Sequence, residues 1–440
     1  MTITIIWKHL SALQEKLKQH APLFAKFFSG HIAVQVLNML NGFLLLRWLN
    51  IEDIAVFSML FSIQTVMNSI SDLGFSGSIV ALTGEKYQDK RVLGAYMAGA
   101  RHLRMLFFAI IVAITLLIAP LYLNNHAVNS NQMWGGFLAI IATVYWQADC
   151  SIYTAPLLIH RKLSAYYRPQ IISSALRIAV NYILFSSNAI NALSVLLING
   201  LIIFYIGRRN KRNASGYYEK NVPSEKARKE ILRYLYPIMP SNIFNAFFGQ
   251  IQILIITYFG NLRNIAEVAA LGRISQLFLF LSAINLTIIE PAIAKSTNEA
   301  LLKKYMFVVL IAVVFATGIT WTSYAFPSVY LAVLGSKYAH LQQQLVWLVA
   351  GASVNFVSTT MWTMSSARKW VFWWGTIAYI TAVVACQLTG VYKLDLSATT
   401  GVLQLSLLTS VAVLLVQLSI TIVGFTKDNR YYRAIYFQNT

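Results

Sequence analysis

Charge is scarce in this sequence of 440 residues, because Asp, Glu, Lys and Arg together make up only 11% of it. Soluble domains carry roughly 25% charged residues, since their whole surface faces water. Hydrophobic residues make up 57% of the chain, and apolar runs of about 18 residues or more recur along its length. This composition excludes a soluble globular protein and predicts an all-α polytopic membrane protein.

Acidic residues are scarcer still, with 15 Asp and Glu against 35 Lys and Arg and a formal net charge of +20. In a soluble protein this excess would suggest a nucleic-acid partner. Here 29 of the 35 basic residues lie in the tails and in alternate loops between apolar runs, and three lie in the opposite loops. Because positive residues concentrate in cytoplasmic loops, this bias predicts that both termini are cytoplasmic, and it excludes nucleic acid as a partner.

The sequence has only two cysteines and no nucleotide-binding motif. The two cysteines, Cys150 and Cys386, both fall within predicted helices, so they provide neither a disulfide framework nor a metal site. A Gly-rich loop ending in Lys and Ser or Thr, which would hold nucleotide phosphates, is absent from the sequence. We therefore predict no metal, no cofactor and no catalytic residue, and hence a protein that is not an enzyme.

The apolar runs predict twelve membrane-spanning helices. Their bounds are about 28–49, 54–82, 105–123, 133–157, 170–187, 190–207, 234–259, 265–290, 305–325, 340–366, 370–390 and 396–425. They divide the chain into a cytoplasmic amphipathic N-terminal segment (1–27), an N-lobe of helices 1–6 (28–207), a basic cytoplasmic linker (208–233), a C-lobe of helices 7–12 (234–425) and a cytoplasmic tail (426–440).

The two halves are weakly similar at an offset of about 211 residues. His31-Ile32 aligns with Asn242-Ile243, and Ile54-Ala55 aligns with Ile265-Ala266. Because six helices are an even number, such a repeat would be parallel, with two lobes related by an axis along the membrane normal. Duplicated lobes of this kind enclose a central cavity that can open to alternate sides of the membrane.

Two stretches resemble the start of bacterial polysaccharide flippases. They are Arg-Trp-Leu-Asn-Ile-Glu-Asp-Ile-Ala-Val-Phe-Ser at 47–58 and Ser-Asp-Leu-Gly-Phe-Ser-Gly-Ser-Ile-Val at 71–80. The flippases are the O-antigen and exopolysaccharide translocases of the multidrug/oligosaccharidyl-lipid/polysaccharide exporter superfamily. The resemblance is sharpest over residues 30–105 and implies a fold like that of the MATE transporters.

The resemblance also implies a function, a location and partners. A protein of this kind would move a polyprenyl-diphosphate-linked oligosaccharide from the inner to the outer leaflet of the bacterial inner membrane by alternating access, coupled to an ion gradient. Its partners would be that glycan, membrane lipids and other membrane proteins of polysaccharide assembly.

Two other functions stay open at this point. A multidrug extruder of the same superfamily would favour acidic residues in its cavity, whereas three intramembrane arginines favour an anionic substrate. A membrane O-antigen polymerase or glycosyltransferase would place a large loop on the outer face. Here the longest loop, Gly207–Arg233, belongs to the basic and therefore inner side.

Three arginines lie within the predicted spans, where a charge costs about 2.5–3.5 kcal/mol on insertion scales. Arg177 and Arg273 lie near the middle of their spans, and we expect them to face a shared aqueous cavity and bind a diphosphate or an acidic sugar. Arg47 is three residues from the outer turn, so it either contacts substrate or extends to the interface. Tyr145 and Trp146 are candidates for stacking on sugar rings.

Three carboxylates are candidates for ion coupling. Asp149 lies at nearly the depth of Arg177 on the preceding helix, so we predict an ion pair between them. That pair either fastens two helices together or opens when the carboxylate takes up a proton. Asp72 and Glu290 lie late in the second and eighth spans, where each is either a proton or ion site or a solvated helix end.

Overall fold

The structure, a computed structural model, describes residues 29–83, 86, 88–125, 130–220, 222–236, 238–285, 289–294, 296, 298–368 and 370–438. The predicted amphipathic segment at 1–27 lies outside these residues. Regular secondary structure within the described ranges is entirely helical.

The helices are numbered here in chain order. They are α1 (Ser29–Trp48), α2 (Ile51–Asp72), α3 (Phe75–Thr83), α4 (Lys90–Asn125), α5 (Ser130–Ile152), α6 (Thr154–Ile159), α7 (Leu163–Ser186), α8 (Ala192–Ala214), α9 (Glu225–Leu235), α10 (Met239–Phe248), α11 (Ile251–Phe259), α12 (Leu262–Ile284), α13 (Glu290–Ala294), α14 (Asn298–Ala325), α15 (Pro327–Leu334), α16 (Gln342–Ala367), α17 (Trp373–Lys393) and α18 (Thr399–Gln438).

Eight stretches are long and apolar enough to cross a membrane, and a ninth span is formed if the bent pair α10 and α11 is counted as one. Three further helices of 23 or 24 residues, α5, α7 and α12, occupy the remaining predicted spans. These three carry Asp149, Arg177 and Arg273. The prediction of an all-helical polytopic membrane protein is confirmed.

The chain forms two compact units. Unit 1 contains residues 1–44, 63–120 and 129–243, and unit 2 contains residues 45–62, 121–128 and 244–440. The tip of the first helical hairpin, Leu45–Ser62, is therefore part of unit 2.

The predicted linker at 208–233 is largely helical, which the sequence reading did not anticipate. Helix α8 continues to Ala214, and α9 covers most of the rest. Ala227, Ile231 and Leu235 recur every four residues on α9 and are all buried. This spacing gives α9 one apolar face, and that face packs into the core of unit 1 with Leu73, Phe75 and other apolar residues.

A sharp break separates α2 from α3 within unit 1. Leu73 and Gly74 have φ angles of 40° and 95°, a left-handed conformation that is unstrained in glycine but costly for leucine. Asn242 Nδ2 donates to Leu73 O at 3.0 Å. Asp72 Oδ1 accepts the backbone N–H of Ser76 at 3.1 Å and its hydroxyl at 2.6 Å. The break is thus stabilised by Asp72 and Ser76, which flank it, and by Asn242 of α10.

Helix α16 is the centre of unit 2, where it packs against α12, α14 and α18. At the start of α12, the buried Glu267 joins three segments of this unit. Its Oε1 lies 3.2 Å from Arg263 Nε and 2.9 Å from His340 Nε2, and its Oε2 accepts the Thr399 hydroxyl at 2.7 Å. Glu267 therefore holds the N-terminal ends of α16 and α18 against α12.

Candidate functional site

Arg177 lies in the middle of α7 in unit 1 and is bound by amides. Its Nη2 donates to Asn38 Oδ1 at 3.0 Å, and its Nη1 lies 3.4 Å from Asn199 Oδ1. Ser174 also donates to Asn38 Oδ1, at 3.1 Å. Among the residues that the structure describes, no carboxylate pairs with Arg177. The guanidinium is thus held in place while its positive charge stays uncompensated.

The predicted ion pair between Asp149 and Arg177 is wrong. Asp149 Oδ1 lies 3.0 Å from Nη2 of Arg101 on α4 instead. The reason is the packing of the helices, because α8 packs against both α5 and α7. Helices α5 and α7 both pack on α8, and the arginine that pairs with Asp149 comes from α4.

Arg273 is the twelfth residue of α12 in unit 2 and lines a cavity of about 290 Å³. The cavity wall includes Ser58 and Ser62 of α2 and Gln252 of α11. Within the described part of the chain, Arg273 has neither a hydrogen bond nor an ion pair. Its guanidinium donors are therefore available to a ligand.

A second cavity of about 420 Å³ adjoins the first within unit 2. The two share part of their lining, including Gln252 and Gln276, around the 52° bend between α10 and α11. This bend opens the helix packing beside Gly249, which lines both cavities. The described residues that line them include polar amides and hydroxyls and a single arginine, without Asp or Glu. The larger cavity therefore has an uncharged lining of mixed polar and apolar groups, and the smaller cavity carries one positive charge.

Comparison with known proteins places this architecture. No protein-family model matches the chain, and no curated protein matches it in sequence. Solved structures do match: lipid II flippase MurJ in an inward closed conformation superposes with a TM-score of 0.66 at 13% identity, covering 91% of this chain and 89% of MurJ. An outward-facing multidrug resistance MATE transporter of the MOP superfamily gives 0.52 at 15% identity, covering 94% and 95%.

The MATE transporter VcmN of Vibrio cholerae, in its bent form, gives a TM-score of 0.51 at 11% identity, covering 96% of this chain and 99% of VcmN. The chain has the MurJ and MATE fold. This confirms the MATE-like architecture that the resemblance implied. At these identities the likeness establishes the fold alone.

Arg47, the third arginine, lies at the C-terminal end of α1, where it is hydrogen-bonded. Its Nη2 donates to Ala332 O at 2.7 Å within unit 2. Lys337 Nζ in turn donates to the Leu49 carbonyl at 2.6 Å and to the Arg47 carbonyl at 3.2 Å. A cation at the last carbonyls of a helix stabilises that end, so both residues fasten the α1–α2 turn.

The two aromatic candidates pack inside unit 1. The Tyr145 ring centroid lies 6.0 Å from that of Phe108, and the Trp146 centroid lies 5.3 Å from that of Phe204. Tyr145 is nevertheless 47% exposed, whereas Trp146 also covers Gly200. The structure therefore places these rings in a different unit from Arg273.

Arg104 is the residue that the sequence reading missed. The third predicted span begins at about residue 105, which leaves Arg104 in the loop before it. Helix α4 begins at Lys90 and runs for 36 residues, so Arg104 lies inside the helix, where it is fully buried. Its Nη1 lies 2.8 Å from Asp72 Oδ1 and 3.0 Å from Ser76 Oγ, and its Nη2 donates to Asn68 Oδ1 at 2.7 Å. The signal that could have revealed it is the run from Lys90 to Arg104, which contains neither Pro nor a turn motif and is compatible with a helix.

The coupling candidates Asp72 and Glu290 have different surroundings in the MurJ and MATE fold. Asp72 is paired with the buried Arg104. Glu290 begins the short helix α13 and is half-buried. Asp149 pairs with Arg101 of α4, and the two side chains are 30% and 40% exposed.

Proposed function

We propose that the protein translocates a polyprenyl-diphosphate-linked oligosaccharide from the inner to the outer leaflet of the bacterial inner membrane, by alternating access and with both termini cytoplasmic. The observation that carries this proposal is the pair of mid-helix arginines, Arg177 and Arg273, neither of which has an acidic partner in the described chain. Uncompensated charge at membrane depth is expensive and marks function. A diphosphate supplies the missing negative charge and accepts several N–H bonds from a guanidinium.

The cavities of unit 2 also argue against a cationic drug as the substrate. A cation would need acidic or otherwise electronegative groups to offset its loss of hydration. The described lining contains no carboxylate, and its one charged group, Arg273, repels a cation and suits an anionic headgroup. The proposed substrate therefore fits the site better than a multidrug function does.

Loss of the protein from its host should trap its substrate on the inner leaflet. We expect cells that lack the gene to accumulate the lipid-linked glycan in a form that a membrane-impermeant periplasmic enzyme or lectin cannot reach. Re-expression of the wild-type chain should restore access. Normal periplasmic access of the glycan in deletion cells, with undiminished surface polysaccharide and no redundant flippase expressed, would contradict the proposal.

Asp149 is the carboxylate that we propose couples transport to a proton gradient. The variant Asp149→Asn should abolish the pH dependence of flipping, while changing the free energy of unfolding by less than about 1 kcal/mol, since the Arg101 pair is 40% and 30% exposed. The measurement is flipping in proteoliposomes at several pH values. Glu225→Gln, which removes the carboxylate of an exposed ion pair with Lys229, is the matched control, and retained pH dependence in Asp149→Asn would remove Asp149 from the coupling mechanism.

A further inference from the structure

We propose that the larger cavity of unit 2 binds the sugars of the lipid-linked glycan, while Arg273 in the adjoining cavity binds the diphosphate. This inference rests on the proposed function and adds a location for each of the two chemical parts of the headgroup. The larger cavity would then contribute to the choice of glycan, and Arg273 would recognise the part that all such lipids share.

The first argument is the chemistry of the lining. Four amide side chains, Gln252, Gln276, Asn355 and Gln387, contribute to the wall of the larger cavity. An amide offers two N–H donors and a carbonyl acceptor, and each sugar hydroxyl both donates and accepts. Amides therefore pair with sugar hydroxyls in either direction, without the fixed charge that a cation or a carboxylate ligand would require.

The second argument is that the lining is incompletely satisfied by the protein. Gln387 Nε2 donates to Thr409 Oγ1 at 3.1 Å, yet its buried Oε1 has no hydrogen-bond partner in the described chain. Gln252 Nε2 donates to Ser406 Oγ at 2.5 Å, which orients that amide at the wall. A buried acceptor without a partner is costly, and rotation of the Gln387 amide toward the cavity that it lines would let a ligand hydroxyl supply the missing donor.

The third argument concerns the position and size of the cavity. Asn355 lies near the middle of α16, and Gln387 lies well within α17, so the polar groups are not helix ends facing the interface. The volume of about 420 Å³ exceeds by far the roughly 10–15 Å³ that one buried water needs. It falls within the range of about 300–1,000 Å³ that is usual for small-molecule sites.

The fourth argument is the connection to a positive charge. Gln252 and Gln276 line both cavities, so a headgroup could extend from the amides to Arg273 without leaving unit 2. The sugar attached to a diphosphate lies directly beside it in the covalent structure. The order of the sites along the wall therefore matches the order of the groups in the substrate.

Equilibrium binding to the purified full-length protein in detergent tests this assignment. The two probes are a polyprenyl diphosphate that carries one N-acetylhexosamine and the same lipid without the sugar, both tritiated. We expect the wild-type protein to bind the glycosylated lipid about tenfold more tightly, since two or three neutral hydrogen bonds are worth that much. The variant Asn355→Leu/Gln387→Met changes two amides that line only the larger cavity, so it should lose this preference and keep its affinity for the sugar-free lipid, whereas Arg273→Gln should weaken the binding of both.

Gln147→Met is the matched control, because Gln147 is a membrane-depth glutamine on α5 of unit 1 and bonds only within its own helix. It should bind both lipids as the wild type does. Equal affinity of the wild type for the two lipids would overturn the sugar site while leaving the flippase proposal intact. Binding of neither lipid by the wild type would count against both. The single variants Asn355→Leu and Gln387→Met, each compared with wild type for its thermal midpoint, serve if the double variant does not fold.

Discussion

Replacement of Arg104 by methionine is expected to lower the free energy of unfolding by about 2–4 kcal/mol. Removal of one partner from a fully buried ion pair costs about 3–5 kcal/mol, because a charge is left without compensation. The Arg104 side chain is 1% exposed but that of Asp72 is 27% exposed, so water offsets part of the loss. The variant also removes the donors for Asn68 Oδ1 and Ser76 Oγ. Unfolding of the purified protein in micelles, followed by tryptophan fluorescence, measures the change.

Arg101→Met is the control for this prediction, because Arg101 lies one turn earlier on the same helix and also pairs with an aspartate. Its side chain is 40% exposed and that of Asp149 is 30% exposed, so the loss should stay below about 1 kcal/mol. The double variant Asp72→Asn/Arg104→Met should regain part of the stability, since it no longer leaves an unpaired carboxylate. Equal destabilisation by Arg101→Met and Arg104→Met would contradict the structural role assigned to Arg104.

The overall fold was predictable from the sequence because hydrophobicity decides which segments enter a membrane. A run such as Tyr305–Ala325 has few alternatives to a spanning helix, and the structure contains it within α14. The prediction did not anticipate the helical structure of the linker at 208–233, because that structure depends on the packing of side chains. The basic composition of 208–233 suggested an extended linker, but three apolar residues on one face of α9 are enough to fold it onto the core.

The candidate site was predictable only in part. The depth of Arg177 and Arg273 follows from counting residues along a helix, and the structure leaves both without an acidic partner in its described portion. The partner of Asp149 was not predictable, because it depends on which helices are neighbours, and α5 packs on α8. The amide cavity was not predictable either, since Gln252, Asn355 and Gln387 lie on three helices that are far apart in sequence and line one cavity only in the packed structure.

Replacement of Arg273 by glutamine should weaken headgroup binding and transport by roughly tenfold to a hundredfold. A hydrogen bond to a charged group contributes about 1.5–3 kcal/mol, and each 1.4 kcal/mol is a factor of ten. Because Arg273 has no protein partner in the described chain, its removal should leave the free energy of unfolding nearly unchanged. The readout is the rate at which a fluorescent polyprenyl-diphosphate disaccharide becomes accessible to a membrane-impermeant quencher outside proteoliposomes.

Two variants separate loss of the site from loss of charge. Arg263→Gln, on the same helix but 65% exposed and beside Glu267, removes the same charge and should transport within about threefold of wild type. Arg273→Lys keeps the charge but loses the planar donor array, so its rate should fall between those of Arg273→Gln and wild type.

Arg177→Gln should also slow transport by about tenfold or more, and in this variant the stability of the folded protein should fall as well. Its loss leaves Asn38 and Asn199 short of a donor, so a fall in stability of about 1–2 kcal/mol should accompany the slower rate. The contrast between the two arginines is the test: Arg273 should affect transport without stability, and Arg177 should affect both. Transport at the wild-type rate in both Arg177→Gln and Arg273→Gln would show that neither guanidinium binds the headgroup, and the proposed mechanism would fail while the fold remained correct.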